Sequence, residues 1–282
     1  MEEFRSKLIT LCYFPGITWH QVFKILKKDP QLSNITNLNP HFLNEITNNR
    51  NFSFENLHDQ IFQNYLNGIE VITYFDDNYP PMLKEISQPP WCLFLKGNSS
   101  LLSMTGKLAI VGSRQSTSYG KNTLEHILPA LVEKKIVIVS GLAKGIDALA
   151  HQTALELGGH TIAVIAGGFN HLYPKENQKL ACRIMMNNLI ISEYPPDTKP
   201  IKWQFPARNR IISGLCNGTL LIEAKRKSGS LITANYAVQE GREVFAVPGS
   251  IFSPFSEGTN ELIQQGAKLV MSGEDIIVEM RM

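Results

Sequence analysis

The chain has 282 residues, 43% hydrophobic and 18% charged, with 27 Lys+Arg against 25 Asp+Glu for a formal charge of +2. An ordinary apolar fraction with little net charge excludes wholesale disorder, and it excludes the global basicity of a protein that coats nucleic acid, so any polyanion must meet a local patch. The length suits one well-buried domain with a smaller companion, and no apolar run nears the roughly 18 residues of a membrane span.

The first ten residues, MEEFRSKLIT, carry acids where a secretory signal needs bases, so a cytoplasmic protein is expected. Apolar residues then recur at helical spacing, as in Leu8, Leu11 and Phe14 and again in Val22, Phe23 and Leu26, with the turn Phe14-Pro15-Gly16-Ile17-Thr18 between. Residues 1–75 therefore read as a small all-α domain of the SAM or helix-hairpin-helix kind. Its bland reading is a packing or partner-docking module. A short strand pattern at Val71–Tyr74 precedes Tyr79-Pro80-Pro81 and Pro89-Pro90, and residues 76–106 read as an extended connector.

After Gly106 the pattern changes. Lys107–Val111, Ile136–Ser140, Thr161–Ile165, Leu189–Ser192, Gly218–Ile222, Glu243–Val247 and Lys268–Val270 are short apolar runs, separated by amphipathic stretches such as Leu124–Glu133, Ala148–Leu157 and Ala234–Gln239. Continuous apolar strands alternating with helices predict an α/β, Rossmann-like, parallel sheet with a mixed edge and helices on both faces over 107–282. Cys12, Cys92, Cys182 and Cys216 form no C-x-x-C pair and read as small buried hydrophobes. The seven histidines show no ligand spacing, and His151 and His171 read as structural.

In such a sheet ligands bind beyond the carboxyl ends of the strands. There the chain places Gly112-Ser113-Arg114, then Ser140–Asp147 with Gly141, Lys144 and Gly145, then Gly167-Gly168 followed by Tyr173-Pro174-Lys175. Glycine allows close backbone approach, and free N–H groups at a helix start with one cation per loop suit a phosphate. No P-loop, no G-x-G-x-x-G and no G-x-S-x-G elbow is present, so nucleotide cofactors and esterase chemistry are not indicated. The densest stretch, Lys202-Trp203-Gln204-Phe205-Pro206-Ala207-Arg208-Asn209-Arg210, interleaves cations with rings, which suits single-stranded nucleic acid; equally, the rings could be core and the arginines could bridge to local carboxylates. Lys225-Arg226-Lys227 reads as a solvated face before the Ser228-Gly229-Ser230 helix start. Asp147, Glu193 and Glu223 could serve acid/base chemistry; equally, Asp147 could cap a helix while Glu193 and Glu223 orient Arg208 and Arg210.

Read in order, these loops resemble the DNA-processing protein A family (DprA, also called Smf). The resemblance runs through Ala109–Arg114, Ser140–Asp147, Tyr173–Lys175, Ile191–Pro195, Phe205–Ile212, Glu223–Ala224, Ser228–Ala234 and Val244–Gly249, nearly all of 107–250. It implies a cytosolic protein of natural transformation that binds incoming single-stranded DNA, protects it from nucleases and loads the RecA recombinase, with no catalysis and no cofactor. A single-stranded-DNA-binding protein joins its implied partners. By matching position it implies DNA contacts at Arg114, Lys175, Lys202 and Phe205, with Phe205 stacking and Arg114 at the pocket floor. Gly112, Ser113, Lys144, Arg208, Asn209 and Arg210 belong to the same implied surface. A homodimer through the last part of the domain would use Asn260, Leu262, Ile263 and Leu269. Many members carry a further C-terminal winged-helix-like domain; none is expected here, the sequence stopping at Met282.

The competing expectation is an enzyme: Rossmann relatives such as the phosphoribohydrolases use an Arg and a Glu, for which Arg114 with Glu193 or Glu223 could stand. Their P-G-G-x-G-T-x-x-E run is missing, replaced by Ser228–Ala234, and they have no use for an aromatic-basic stretch like Lys202–Arg210. A DNA-independent scaffold is the third reading.

Overall fold

The computed structural model describes residues 2–14, 17–35, 61 and 68–281. Among these residues the framework is a nine-stranded sheet that starts with β1 (Glu70–Thr73) and β2 (Cys92–Gly97) and runs in the order β1-β2-β6-β5-β4-β3-β7-β8-β9. The seven runs expected from the sequence are β3 (Lys107–Gly112), β4 (Val137–Ser140), β5 (Thr161–Ile165), β6 (Leu189–Ser192), β7 (Gly218–Ile222), β8 (Glu243–Ala246) and β9 (Lys268–Leu269), all parallel. Strands β4 to β7 are buried at every position, which is why their sequences are apolar throughout instead of alternating. Helices cover both faces over three apolar clusters. The fold is the α/β, Rossmann-like arrangement that the alternation of runs implied.

Strand order decides where a ligand can sit. The chain lays β4, β5 and β6 successively to one side of β3, then returns to place β7, β8 and β9 on the other. The direction of winding therefore reverses between β3 and β7, and the crevice at their carboxyl ends is the natural binding position.

The segment 76–106 corrects the connector expectation. It holds a short helix, Pro81–Lys84, a 3-10 turn at Ser99–Ser103, and β2 (Cys92–Gly97), which pairs antiparallel with both β1 (Glu70–Thr73) and β6. Cys92-Leu93-Phe94-Leu95 is fully buried, yet it follows Pro89-Pro90, and that turn signal masked the strand. Prolines just ahead of a strand cost the ladder nothing.

Among the described residues the N-terminal part holds the helices Glu2–Cys12 and Trp19–Lys28. Thr18 starts the second with a capping box: its hydroxyl accepts from the Gln21 N–H while the Gln21 side chain accepts from the Thr18 N–H. Leu8, Leu11, Phe14 and Val22 are buried as the spacing implied, but Phe23 is 45% exposed and Ile25 takes the inward position. The turn residues Pro15 and Gly16 and much of 36–67 lie outside the described residues. The helices dock on the antiparallel edge, where Arg5 Nε donates to Asp76 at 2.9 Å. Among the cysteines, Cys92 and Cys216 are buried, Cys12 is half-buried and Cys182 is exposed, so the buried reading fails for Cys182.

Candidate functional site

A cavity of about 860 Å³ opens at the β3/β7 reversal. Its wall is built from the segments that follow β3 (Gly112, Ser113, Arg114, Gln115), β4 (Ala143, Asp147), β5 (Tyr173) and β7 (Lys225, Lys227, Ser228–Ser230), and from Lys202, Phe205, Arg208 and Asn209.

The aromatic-basic stretch does not form a loop. Trp203 caps a helix that spans Gln204–Gly214, and Pro206 falls in its first turn, where a missing N–H is harmless. Helical spacing then sorts the stretch. Phe205, Arg208 and Asn209 face the cavity, while Ala207 and Arg210 face away from it. The Phe205 ring meets Tyr173 edge-on with centroids 5.7 Å apart, and the Arg114 guanidinium lies 6.0 Å from its centre. Phe205 is half-buried on the cavity wall.

Arg114 is exposed on the rim; the floor belongs to Arg208, which is 4% exposed. The Arg208 side chain donates through Nη1 to the Val164 carbonyl, and its buried Nε has no partner among the described residues. Burial pushes its pKa down to about 10, partly offset by the charge of Asp147. Gly141 makes this possible: a Cβ there would lie 1.9 Å from Nη1. Gly145 has φ +72 at the start of the helix Ile146–Glu156 and supplies its N-cap, so Asp147 is not the cap. The Asp147 carboxylate instead accepts from the Gly141 N–H at 3.1 Å and from the Ala143 N–H. Burial raises the Asp147 pKa, opposed by Arg208.

The loop amides are thus largely committed. Ser113 N–H donates to the Glu223 carbonyl at 2.7 Å, Thr117 N–H to the Glu223 carboxylate at 2.9 Å, and Gln115 N–H to Ser113 Oγ at 3.0 Å. Glu223 therefore orients the β3 loop and the start of helix Ser118–Glu133, not an arginine. Arg210 does pair with Glu193, as the sequence allowed. An anion in this cavity meets side-chain cations, Arg114, Lys202, Lys225 and Lys227, and the start of helix Gly229–Gln239 capped by Ser228.

Lys144 pairs with Glu176 and, like the exposed Lys175, lies outside the cavity lining. The ring of Tyr173, not the nearby cation, lines the cavity. The Lys225-Arg226-Lys227 run, expected to be a solvated face, divides: Lys225 and Lys227 reach the cavity, while Arg226 turns toward Glu261 at 3.5 Å. Lys225 also lies 4.7 Å over the Phe255 ring. The His151 ring is fully buried, with Nδ1 2.6 Å from Thr161 Oγ1, and burial together with the Arg208 charge brings its pKa down to about 3.

Of the residues expected at a dimer interface, Asn260, Leu262 and Ile263 lie on the helix Glu257–Gln264 and Leu269 lies on β9. Asn260 clamps the Gly249 backbone, its Oδ1 accepting at 3.1 Å and Nδ2 donating at 3.0 Å, and Leu262 packs on the core. Ile263 is half-buried, and Leu269, on β9, is 45% exposed.

Fold and site together define a Rossmann-like protein whose strand-end cleft offers cations and an aromatic ring, without a nucleotide fingerprint. Residues 70–281 match the DNA recombination-mediator protein A family, and the chain belongs to it. It is 52% identical over 213 residues to the DNA processing protein DprA of Bacillus subtilis, covering 76% of this chain and 72% of that one. Against the Streptococcus pneumoniae protein of the same name identity is 44% over 271 residues, 94% of each chain. The X-ray structure of the pneumococcal protein superposes with a TM-score of 0.83, at 43% identity and covering 97% of both chains. DNA processing protein A from Helicobacter pylori, whose structure concerns its single-stranded DNA binding mode, gives a TM-score of 0.68 at 32% identity, covering 76% of this chain and 95% of that one.

Proposed function

We propose that this protein binds single-stranded DNA in the central cavity and serves as a recombination mediator, protecting incoming strands and delivering them to RecA in the cytoplasm during DNA uptake. The observation that carries the reading is the half-buried Phe205 ring set among Arg114, Lys202, Lys225 and Lys227 on one cavity. Rings stack on unpaired bases whatever their identity, and cations neutralise the phosphates between them, so binding is strong and sequence-tolerant. The likeness to the Helicobacter pylori protein supports the same ligand class. Lys144 and Lys175, beyond the cavity, would meet a longer strand.

A binding role also suits the carboxylates. Asp147 is buried against two amides, Glu193 is held by Arg210 and Glu223 by Thr117, which leaves the acid/base roles without a free group among these three. The exposed Leu269 on β9, with Ile263 on the preceding helix, supports a homodimer that would present two cavities to one strand. A single-stranded-DNA-binding protein on the same strand would be a further partner.

Titration with oligo(dT) at several salt concentrations tests the reading. Binding whose log K falls linearly with log salt is expected, with no base released from nucleoside monophosphates. Absence of binding at low salt would leave the scaffold reading; release of base would leave the enzyme.

A further inference from the structure

Outside the central cavity the exposed rings include Tyr119 and Phe252 and, besides these, a group of three that share ring contacts and cavities. Phe23, Phe75 and Trp203 are 45%, 48% and 58% exposed, and each belongs to a run of ring contacts. Trp19 stacks on Phe23 at 5.4 Å and on Trp91 at 5.3 Å, Phe75 stacks on Trp91 at 6.3 Å, and Tyr194 meets Trp203 edge-on at 6.2 Å. Part of this is adhesive. Trp19 Nε1 donates to the Pro89 carbonyl at 2.7 Å and Trp91 Nε1 to the Trp19 carbonyl at 3.2 Å, fixing both indoles where the N-terminal helices meet the sheet. Adhesion needs covered rings, and it does not explain why Phe23, Phe75 and Trp203 stay wet.

Two cavities follow the rings. One of about 220 Å³ is lined by Trp19, Trp91, Tyr194 and Trp203; one of about 490 Å³ by Trp19, Phe23, Phe75 and Trp91 with Lys27 and Lys84. Trp19 and Trp91 wall both. The smaller one lies against the Ala207 and Arg210 face of the helix Gln204–Gly214, whose other face carries Phe205 into the central cavity. Lys202, lining the central cavity, directly precedes Trp203. Trp19, Phe23 and Lys27 recur every fourth residue, so two rings and a cation share one stripe of their helix. Lys84 Nζ lies 5.3 Å over the Tyr74 ring. Among the described residues lining the two cavities the one carboxylate, Glu193, is paired with Arg210, and of the neighbouring acids Asp76 is held by Arg5 and Glu85 by Arg242.

We propose that this row is a second single-stranded nucleic-acid site, continuous with the first. A strand leaving the central cavity past Lys202 stacks a base on Trp203 and further bases on the Phe23–Phe75 platform, with phosphates at Lys27 and Lys84. The inference rests on the reading of the central cavity and extends its footprint onto the N-terminal helices.

All three tryptophans of the chain, Trp19, Trp91 and Trp203, lie on this row, and none lines the central cavity. The test titrates the full chain with oligo(dT) of about 6 and about 25 nucleotides, lengths on either side of a single site. Anisotropy gives the affinity and tryptophan emission reports the row. Both lengths should bind, with strong quenching by the longer one. Phe23→Ala and Trp203→Ala should each weaken the longer oligonucleotide about tenfold and leave the shorter unchanged, whereas Phe205→Ala weakens both. Both side chains are exposed, and unaltered circular dichroism checks that the variants fold. Long-strand affinity at the parental value in both variants, or equal quenching at both lengths, overturns the second site while leaving the central one. Binding of a proline- or aromatic-rich peptide to the row in place of the long strand overturns it equally. If the parent binds neither length, the central reading falls and this inference with it.

Discussion

The loops after β4 and β7 look alike in sequence, each with glycine, a serine or lysine and a helix to follow, yet the fold uses them in opposite ways. After β4 the chain supplies its own anion and cation: Asp147 takes the amides of Gly141 and Ala143, and Arg208 packs over Gly141. After β7 the loop stays open, with Lys225, Lys227 and the Ser228 cap on the cavity. A glycine loop is therefore an anion site only if the protein leaves it empty. Charge at the closed loop should show up in stability, and charge at the open loop in binding.

The largest effect is expected where that division is sharpest. Arg208→Ala strips the buried Val164 carbonyl of its charged donor and leaves Asp147 without a nearby positive charge, and should cost up to about 3 kcal/mol, read as a fall in the urea midpoint. Gly141→Ala, which drives a methyl into the guanidinium, should fail in the same assay. An Arg208→Ala protein of parental stability but weakened oligo(dT) binding would move Arg208 to the open side.

Phe205→Ala should cost about 1–3 kcal/mol in oligo(dT) affinity and leave the salt dependence alone. A changed salt slope would mean that the ring holds Arg114 in place and does not hold a base.

His151 belongs to the closed side and gives it a pH signature. Its pKa is about 3 in the folded chain against 6.5 when exposed, so as pH falls below 6.5 the unfolded chain takes a proton that the folded chain refuses. Stability is complete above that point and should decline by about 1.4 kcal/mol per pH unit below it. Thermal melts of His151→Gln between pH 6.5 and 5.5 should lack that component; identical slopes would refute it.

The smallest expected change is in salt dependence. Arg114→Ala and Lys227→Ala should each lower the slope of log K against log salt by about 0.7 while thermal stability stays constant. The same substitutions lowering stability instead would erase the contrast between the loops.

Much of the fold was legible because β4 to β7 are buried on both faces, which forces uninterrupted apolar runs. β2 was not, because Pro89-Pro90 gives a turn signal that only pairing with β1 and β6 overrides. At the site, residue type left the Lys202–Arg210 stretch open between a binding surface and a core, and it was the family resemblance that singled out Phe205, Arg114 and Lys202, which the fold brings to one cavity. What could not be read was which faces the helix Gln204–Gly214 buries: Arg208 and Arg210 look like their neighbour Lys202 in sequence and differ from it only by packing. Lys225 and Lys227 were passed over for the mirror-image reason, since an exposed charge run becomes a site only when strand order carries it to one.

Glu223 ties these observations together. It sits at φ +56, unusual for a residue with a side chain, and from there it holds Ser113 with its carbonyl and Thr117 with its carboxylate. One residue after β7 thus bolts down the loop after β3, across the line where the winding reverses. Two hydrogen bonds cross that line at the cavity's edge. Amide protons of Ser113 and Thr117 should exchange with solvent only as slowly as the strands themselves open, and a strand of DNA should find its cleft already shaped on arrival.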